Sequence, residues 1–167
     1  METRLTNIEA RLDYIESELA IHNLIVKYGL AVDCNDLETA IACHSPEAEY
    51  IVSAPRAGQD DLVLSGHQAL RDMLSSDLHQ SLLPNCAHTV GPIIMTIGNP
   101  STYSGAEDSA RALGYSRVYH MGVLMRIAVN QWQFRRYENN WLIQQRVSRI
   151  VGSEDAQLLL RSALNSN

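Results

Sequence analysis

The order of helical and strand patterns is the feature that most constrains the fold of this 167-residue chain. Apolar residues recur with helical spacing from residue 5 to about 33, and further helices are predicted after Asp36 and after Ser65. A first strand is predicted at 48–53, and from Asn85 onward strands follow at roughly 86–97, 109–120, 124–137 and 141–151. Helices followed by long antiparallel strands predict an α+β fold, with a curved mixed or antiparallel sheet wrapped over helices around a central pocket.

Polar residues at the predicted boundaries mark where these elements begin and end. The turn-forming residues 33–36 predict the end of the first helix, and Asn35 or Asp36 can cap the next one. Ser65 with Gln68 three residues later has the spacing of a capping box, which predicts a helix to about residue 78. Residues 138–140 predict a hairpin turn, and Ser153 is expected to cap a last helix.

The first helix begins with a strict heptad stripe. The apolar residues are spaced three, four, three and four apart, at Leu5, Ile8, Leu12, Ile15 and Leu19. Such a stripe is typical of a seam between two helices in a coiled coil. We therefore interpret residues 1–20 as a helical extension of a single domain spanning 1–167, which favours a homodimer or homotrimer. A second helix of the same chain is the alternative partner for this stripe.

Charge and composition exclude several classes of partner. The formal net charge is −6 and the longest basic run is Arg135-Arg136, so the basic stripe typical of nucleic-acid binding is absent. No apolar run approaches the ~18 residues of a membrane span. The first residues, 1–4, do not have the apolar core of a signal peptide, so a cytoplasmic protein is expected. Three cysteines without a Cys-x-x-Cys pair predict reduced thiols.

Metal and cofactor motifs are also missing from the sequence. The six histidines are scattered, without His-x-His or His-Glu-x-x-His spacing, and no glycine-rich phosphate loop is present. We therefore predict a site that uses neither metal nor cofactor.

Four segments resemble the SnoaL-like members of the nuclear transport factor 2-like superfamily. Residues 20–36 resemble the first-helix signature of that family, an apolar-Lys/Arg-Tyr segment that ends in an Asp. Residues 47–50 resemble its first strand, 85–88 the start of its second strand, and 136–143 its hairpin and final strand. The resemblance covers roughly residues 4–152 and implies a cone-shaped α+β barrel. Because this fold hosts many activities, it says less about function.

The resemblance also implies a catalytic set. Bile acid dehydratase, scytalone dehydratase and hexachlorocyclohexane dehydrochlorinase pair an Asp at the end of helix one with a His on the second strand, positions that match Asp33 and His88. Tyr28 and Tyr50 match site tyrosines of bile acid dehydratase. A His can act as base and acid near neutral pH, an Asp can orient it, and tyrosine hydroxyls can polarise a substrate oxygen. Because Tyr28 and Asp33 lie about 140° apart on an ideal helix, their convergence requires the helix to end before Asp33.

Candidate substrate-binding residues lie on the later strands. Asn130 matches a pocket Asn of scytalone dehydratase, and Trp132 shares its strand face. His120 falls near a second site histidine of that enzyme. Arg149 matches a final-strand arginine of bile acid dehydratase and can anchor an anionic group. A surface or subunit salt bridge is the alternative for Arg149.

These residues together predict a cofactor-independent lyase or isomerase of the dehydratase type. Its substrate would be a small, mostly apolar molecule, polycyclic or aromatic. Two alternatives remain open at this point: a non-catalytic ligand-binding or assembly subunit of the same fold, and an epoxide hydrolase or aldol cyclase.

Overall fold

The computed structural model describes residues 2–53, 60–98 and 108–164. The described helices are α1 (Glu2–Asp33), α2 (Leu37–Ala42), α3 (Gly66–Leu74), α4 (Asp77–Gln80) and α5 (Glu154–Leu164). The described strands are β1 (His44–Val52), β2 (Leu62–Ser65), β3 (Cys86–Ile97), β4 (Ser109–His120), β5 (Val123–Tyr137) and β6 (Asn140–Ile150). The four long strands predicted after Asn85 are therefore confirmed to within one residue at each end.

The strands form one curved six-stranded sheet in the order β2-β1-β6-β5-β4-β3. Strand β1 runs parallel to β6, and every other neighbouring pair is antiparallel. The sheet does not close, because β2 and β3 lie at opposite edges. Helix α1 crosses the sheet and packs mainly on β3 and β6. The predicted α+β cone, a mixed sheet wrapped over helices, is confirmed.

Two apolar clusters fill the space between the helices and the concave face of the sheet. The larger joins the middle of α1 to β5 and β6 through Ile21, Ile25, Trp132 and Ile143. The second joins the end of α1 to α2, α3 and β1; its buried members are Ala31, Val32, Ala40, Ile41, Ala48, Leu70 and Leu74. Helix α5 packs on the opposite face of the sheet, where Ala156 contacts Leu113 and Val129. Helices α1 to α4 therefore lie on the concave side of the sheet, and α5 lies on the other side.

Most predicted boundary signals are present as hydrogen bonds. The Asp36 carboxylate accepts the backbone N–H of Thr39 at the start of α2, and the Ser153 hydroxyl accepts that of Ala156 in α5. Glu138 adopts a left-handed backbone (φ 55°) in the β5–β6 turn.

The predicted capping box at Ser65 is wrong. Ser65 precedes α3, but its side chain makes no capping hydrogen bond, and the Gln68 amide donates to Asp72 instead. The helix also ends at Leu74 instead of continuing to residue 78. A second cap, the Ser76 hydroxyl accepting the His79 N–H, begins α4 there.

A bulge between β5 and β6 changes which side chains face the hollow side. Phe134 pairs with Ile143, whereas Gln133 pairs with Gln145, so Gln144 is the extra residue. Because side chains alternate along a strand, one extra residue exchanges the two faces for everything beyond it. Arg146 and Ser148 therefore face inwards where an unbroken alternation would place Gln145 and Val147.

Within the described ranges, no helix is both long enough and apolar enough to cross a lipid bilayer. Cys34, Cys43 and Cys86 are free thiols.

We expect Leu70→Ala to lower the free energy of unfolding by about 2–5 kcal/mol, because the Leu70 side chain is fully buried between α3 and β1. Leu158→Ala is the matched control: Leu158 also lies on a helix but is 55% exposed, and its loss should cost about 0.5 kcal/mol or less. Urea titrations of both variants test this. Equal losses would contradict the packing described here.

Candidate functional site

A cavity of about 370 Å³ opens between the helices and the concave face of the sheet. Its volume lies within the range of small-molecule sites. Most of its walls are apolar, and the apolar lining residues are Val32, Val52, Leu62, Leu64, Met73, Leu74, Leu78, Leu82, Val118 and Met125. Its polar lining residues are Tyr28, Tyr50, His79, His88, Ser116, Arg126, Arg146 and Ser148. An apolar pocket with a few convergent polar groups is the usual form of a ligand site.

Asp33 and His88 form a hydrogen-bonded pair at this cavity. The His88 imidazole Nδ1 lies 2.6 Å from one oxygen of the Asp33 carboxylate, and the other oxygen accepts the backbone N–H of His88 at 2.8 Å. The Cys86 thiol also donates to this carboxylate, at 3.4 Å. Since Nδ1 is held by Asp33, Nε2 is the nitrogen of His88 that remains for a ligand. This arrangement fixes both the orientation and the tautomer of the imidazole.

Helix α1 approaches β3 closely at this pair. A Cβ atom on Gly29 would lie 3.2 Å from the backbone oxygen of His88, so the glycine allows the close contact. The helix continues through Asp33, which corrects the expectation that it must end earlier. The side chains of Tyr28 and Asp33 therefore leave α1 in different directions. Both contribute to one site because Tyr28 lines the cavity directly, whereas Asp33 binds His88, which lines it.

The Arg146 guanidinium lies close to three aromatic rings. Its guanidinium carbon lies 4.7 Å from the centre of the Tyr50 ring and 5.8 Å from those of Tyr28 and Trp132. Such distances allow cation–π attraction. Burial raises the pKa of Tyr28 to about 12, although Arg146 acts in the opposite direction. The Tyr28 hydroxyl therefore stays protonated at neutral pH and remains a hydrogen-bond donor.

Asn130 and Trp132 lie behind Arg146, outside the cavity lining. The fully buried Asn130 donates to the Ser116 hydroxyl at 2.7 Å and accepts Nε of Arg146 at 2.9 Å. Trp132 belongs to the larger core cluster. Both side chains were predicted to contact substrate. In the structure they contact Arg146 instead, which lines the cavity in front of them.

His120 and Arg149 lie away from the cavity, contrary to the sequence-based expectation. His120 ends β4 beside the turn at Met121 and Gly122 and is paired with Cys86 across the sheet. Arg149 lies three positions after Arg146, and both residues follow the bulge in β6. Because side chains alternate along a strand, the Arg149 side chain lies on the opposite face of the sheet from that of Arg146. There it donates to the Asp61 carboxylate at 2.6 Å and lies 3.9 Å from Asp155 of α5. The salt-bridge alternative for Arg149 is the one that the structure shows.

Five polar residues of the cavity lining were not predicted from the sequence: His79, Ser116, Arg126, Arg146 and Ser148. Because of the bulge, a count of alternate residues along β6 does not place Arg146 on the inner face. Its position there follows from its pairing with Trp132 of β5, which is a feature of the tertiary structure. His79 comes from the short helix α4, and its ring is stacked on that of His88 with 6.2 Å between centres. Burial lowers the pKa of His79, and the neighbouring His88 lowers it further. No local pattern in the sequence places α4 at the cavity.

Asp33, Cys86 and His88 offer three ligand-type atoms within 4.8 Å of one another. The carboxylate and the imidazole are already joined by a hydrogen bond, and burial raises the pKa of Cys86 to about 11. A site without metal or cofactor stays a prediction.

The comparison with protein families and the comparison with solved structures agree with each other. The model of the SnoaL-like domain family matches residues 13–147. An NTF2-like protein with a cystatin-like fold from Novosphingobium aromaticivorans is similar at 30% identity, with 93% of this chain and 96% of that chain covered and a TM-score of 0.78. The search of curated proteins gave no match.

Two more distant structures share the fold. A candidate scytalone dehydratase from Novosphingobium aromaticivorans has 17% identity over 83% of this chain and 87% of that chain, with a TM-score of 0.64. The hexachlorocyclohexane dehydrochlorinase LinA-type3 from Novosphingobium barchaimii has 16% identity over 84% and 90%, also with a TM-score of 0.64. At this identity the likeness shows the architecture alone.

The buried His44 should make the stability of the protein depend on pH. Its Nδ1 donates to the backbone oxygen of Ala40 at 3.0 Å, its ring contacts Tyr28, and burial lowers its pKa from 6.5 to about 4. Between these values the unfolded chain binds a proton that the folded chain does not, so acid destabilises the fold. We expect a loss of about 3 kcal/mol from this residue as the pH falls from 7 to 4.

His44→Asn keeps a donor for Ala40 and should flatten that pH dependence in denaturant titrations at pH 7, 5.5 and 4.5. His22→Asn, at a half-exposed histidine of α1, is the control and should follow the wild-type curve. An unchanged slope in His44→Asn would contradict the assignment.

Proposed function

Since the chain belongs to the SnoaL-like domain family, we propose that it is a cofactor-independent lyase or isomerase of the dehydratase type. The observation that carries this proposal is the Asp33–His88 pair, joined at 2.6 Å, with His88 at the wall of an apolar cavity. Such a pair supplies the acid–base chemistry that an elimination needs.

In the proposed reaction His88 acts as base and then as acid. Its Nε2 removes a proton from a carbon next to a polarised carbonyl, and that electron pair forms a new C=C bond. The C–O bond on the adjacent carbon breaks, and the imidazolium returns the proton to the leaving hydroxyl, which departs as water. Asp33 keeps Nδ1 protonated and stabilises the transient imidazolium. An isomerase would use the same proton removal and return the proton to another carbon.

Arg146 and the two tyrosines are proposed to bind the oxygen on which negative charge develops. Within the described residues Arg146 has no carboxylate partner; its polar contacts are with the Asn130 amide and the Tyr28 hydroxyl, and aromatic rings lie beside it. A half-buried cation at a cavity wall, without a carboxylate beside it, favours an anionic or strongly polarised ligand group. We expect the protonated Tyr28 hydroxyl to add a neutral donor, and preorganised donors of this kind stabilise a developing oxyanion.

The remaining walls favour an apolar substrate, polycyclic or aromatic. Apolar side chains form most of the lining, and several stay exposed at the cavity mouth: Leu78 is 81% exposed and Met125 57%. An apolar rim of this kind is typical of sites for poorly soluble ligands. A cytoplasmic location is part of the same proposal.

The first test is native mass spectrometry of the protein with a panel of hydroxylated sterols, bile acids and aromatic polyketides, in H₂O and in D₂O. A bound compound that loses the mass of one water supports a dehydratase, and deuterium uptake without loss of water supports an isomerase. Binding with neither change would contradict the proposal and favour the non-catalytic binding subunit.

We expect His88→Gln and Asp33→Asn to lower turnover of the compound found in this way by roughly 10²- to 10⁴-fold, since they remove the acid–base group and its orienting partner. His120→Gln changes the same residue type outside the cavity and should retain turnover. Steady-state kinetics and thermal unfolding of the three variants separate chemistry from folding. Full turnover by His88→Gln would disprove the mechanism.

Arg146→Met should weaken binding of the same compound roughly 10- to 100-fold, because a charged hydrogen bond to the ligand oxygen is lost. Arg149→Met, which removes the arginine on the opposite face, should bind like the wild type. Titration by intrinsic tryptophan fluorescence measures both affinities. If both variants bind equally well, Arg146 does not contact the ligand.

A further inference from the structure

The N-terminal part of α1 presents an apolar stripe to solvent. Ile8 and Leu12 are each 52% exposed, Ile15 57% and Leu19 60%. We name these four residues the outer stripe. They occupy the alternating a and d positions of a heptad repeat, with the leucines at a and the isoleucines at d. Exposed residues at that spacing are typical of a helix that packs against another helix.

The rest of the protein already covers the opposite side of the same helix. Tyr14 packs on the larger core cluster, and Ser17 and Ile21 are buried. These three lie at the c and f positions, across the helix from a and d. The body of each copy would therefore lie on the outside of a coiled coil formed through the outer stripe, where it does not obstruct the neighbouring helix.

The charges beside the outer stripe fit a second copy in parallel orientation. Arg11 is at a g position, and Glu9 and Glu16 are at e positions; all three are exposed. In a parallel coiled coil the g residue of one helix faces the e residue of the next heptad on its neighbour, which pairs Arg11 with Glu16. An antiparallel arrangement brings e residues together, and Glu9 and Glu16 would repel one another.

We propose that this chain self-associates through the outer stripe as a parallel coiled coil. Leucine at a with isoleucine at d favours three or four strands over two, so the assembly is a trimer or tetramer. The repeat is short for an isolated coiled coil, but the continuation of α1 is already held against the sheet, which stabilises the helix before association. This surface is separate from the cavity and independent of the proposed catalysis.

The mass of the full chain in solution tests the proposal. Light scattering after size exclusion should give three or four times the 18.6 kDa of one chain for the wild type. Leu12→Glu with Ile15→Glu should give the mass of one chain, with the thermal unfolding of the body still cooperative. Leu158→Glu, at an exposed leucine of α5, is the control and should keep the wild-type mass. A monomeric or dimeric wild type, or an unchanged mass in the double variant, would overturn the proposal.

Charge exchange tests the parallel orientation. Arg11→Glu places like charges beside each other at every interface and should raise the concentration at which the assembly dissociates by roughly tenfold. Arg11→Glu combined with Glu16→Arg restores opposite charges in a parallel coil and should recover the wild-type value. A double variant no better than Arg11→Glu alone would refute the parallel arrangement.

Discussion

The carboxylate of Asp33 is the contact on which the arrangement of this protein depends most. It accepts hydrogen bonds from the His88 backbone, the His88 ring and the Cys86 thiol, all of which belong to the first three residues of β3. It thereby joins the end of the longest helix to an edge strand of the sheet. The same bonds fix the imidazole at the cavity wall. A carboxylate in the last turn of a helix opposes the helix dipole, so its position costs stability that the three donors offset.

A half-buried charge, that of Arg146, organises the opposite wall of the cavity. Arg146 is held by the Asn130 amide and by three aromatic rings, and Asn130 is held in turn by Ser116. The buried Asn130 amide thereby both donates and accepts, as burial requires. The guanidinium lies beside the cavity, next to the Tyr28 ring. An imidazole on one wall and a guanidinium with tyrosine hydroxyls on the other give the cavity a polarity that its apolar lining does not suggest.

The parts of the site that could be predicted are those that the resemblance to the SnoaL-like family implies at the boundaries of predicted elements. Asp33 ends α1 and His88 lies near the start of β3, so the matched positions and the local boundary signals agree. Arg149 shows where this reasoning fails. The resemblance implied Arg149, and an unbroken alternation from Trp141 would also place it on the inner face, but the bulge at Gln144 exchanges the faces and puts Arg146 there instead. Nothing in the β6 sequence alone reveals an extra residue, because a bulge is defined only by the register against β5.

The sequence by itself determined the order of helices and strands, the starts of α2 and α5, and the apolar stripe along α1, because each depends on side chains within a few residues of one another. Only the tertiary structure decided which polar residues share the cavity. His79 reaches His88 through the packing of α4, and Asn130 and Trp132 act behind Arg146 and do not line the pocket. These relations join residues far apart in the chain, and they follow from sheet register and helix packing, which local patterns do not specify.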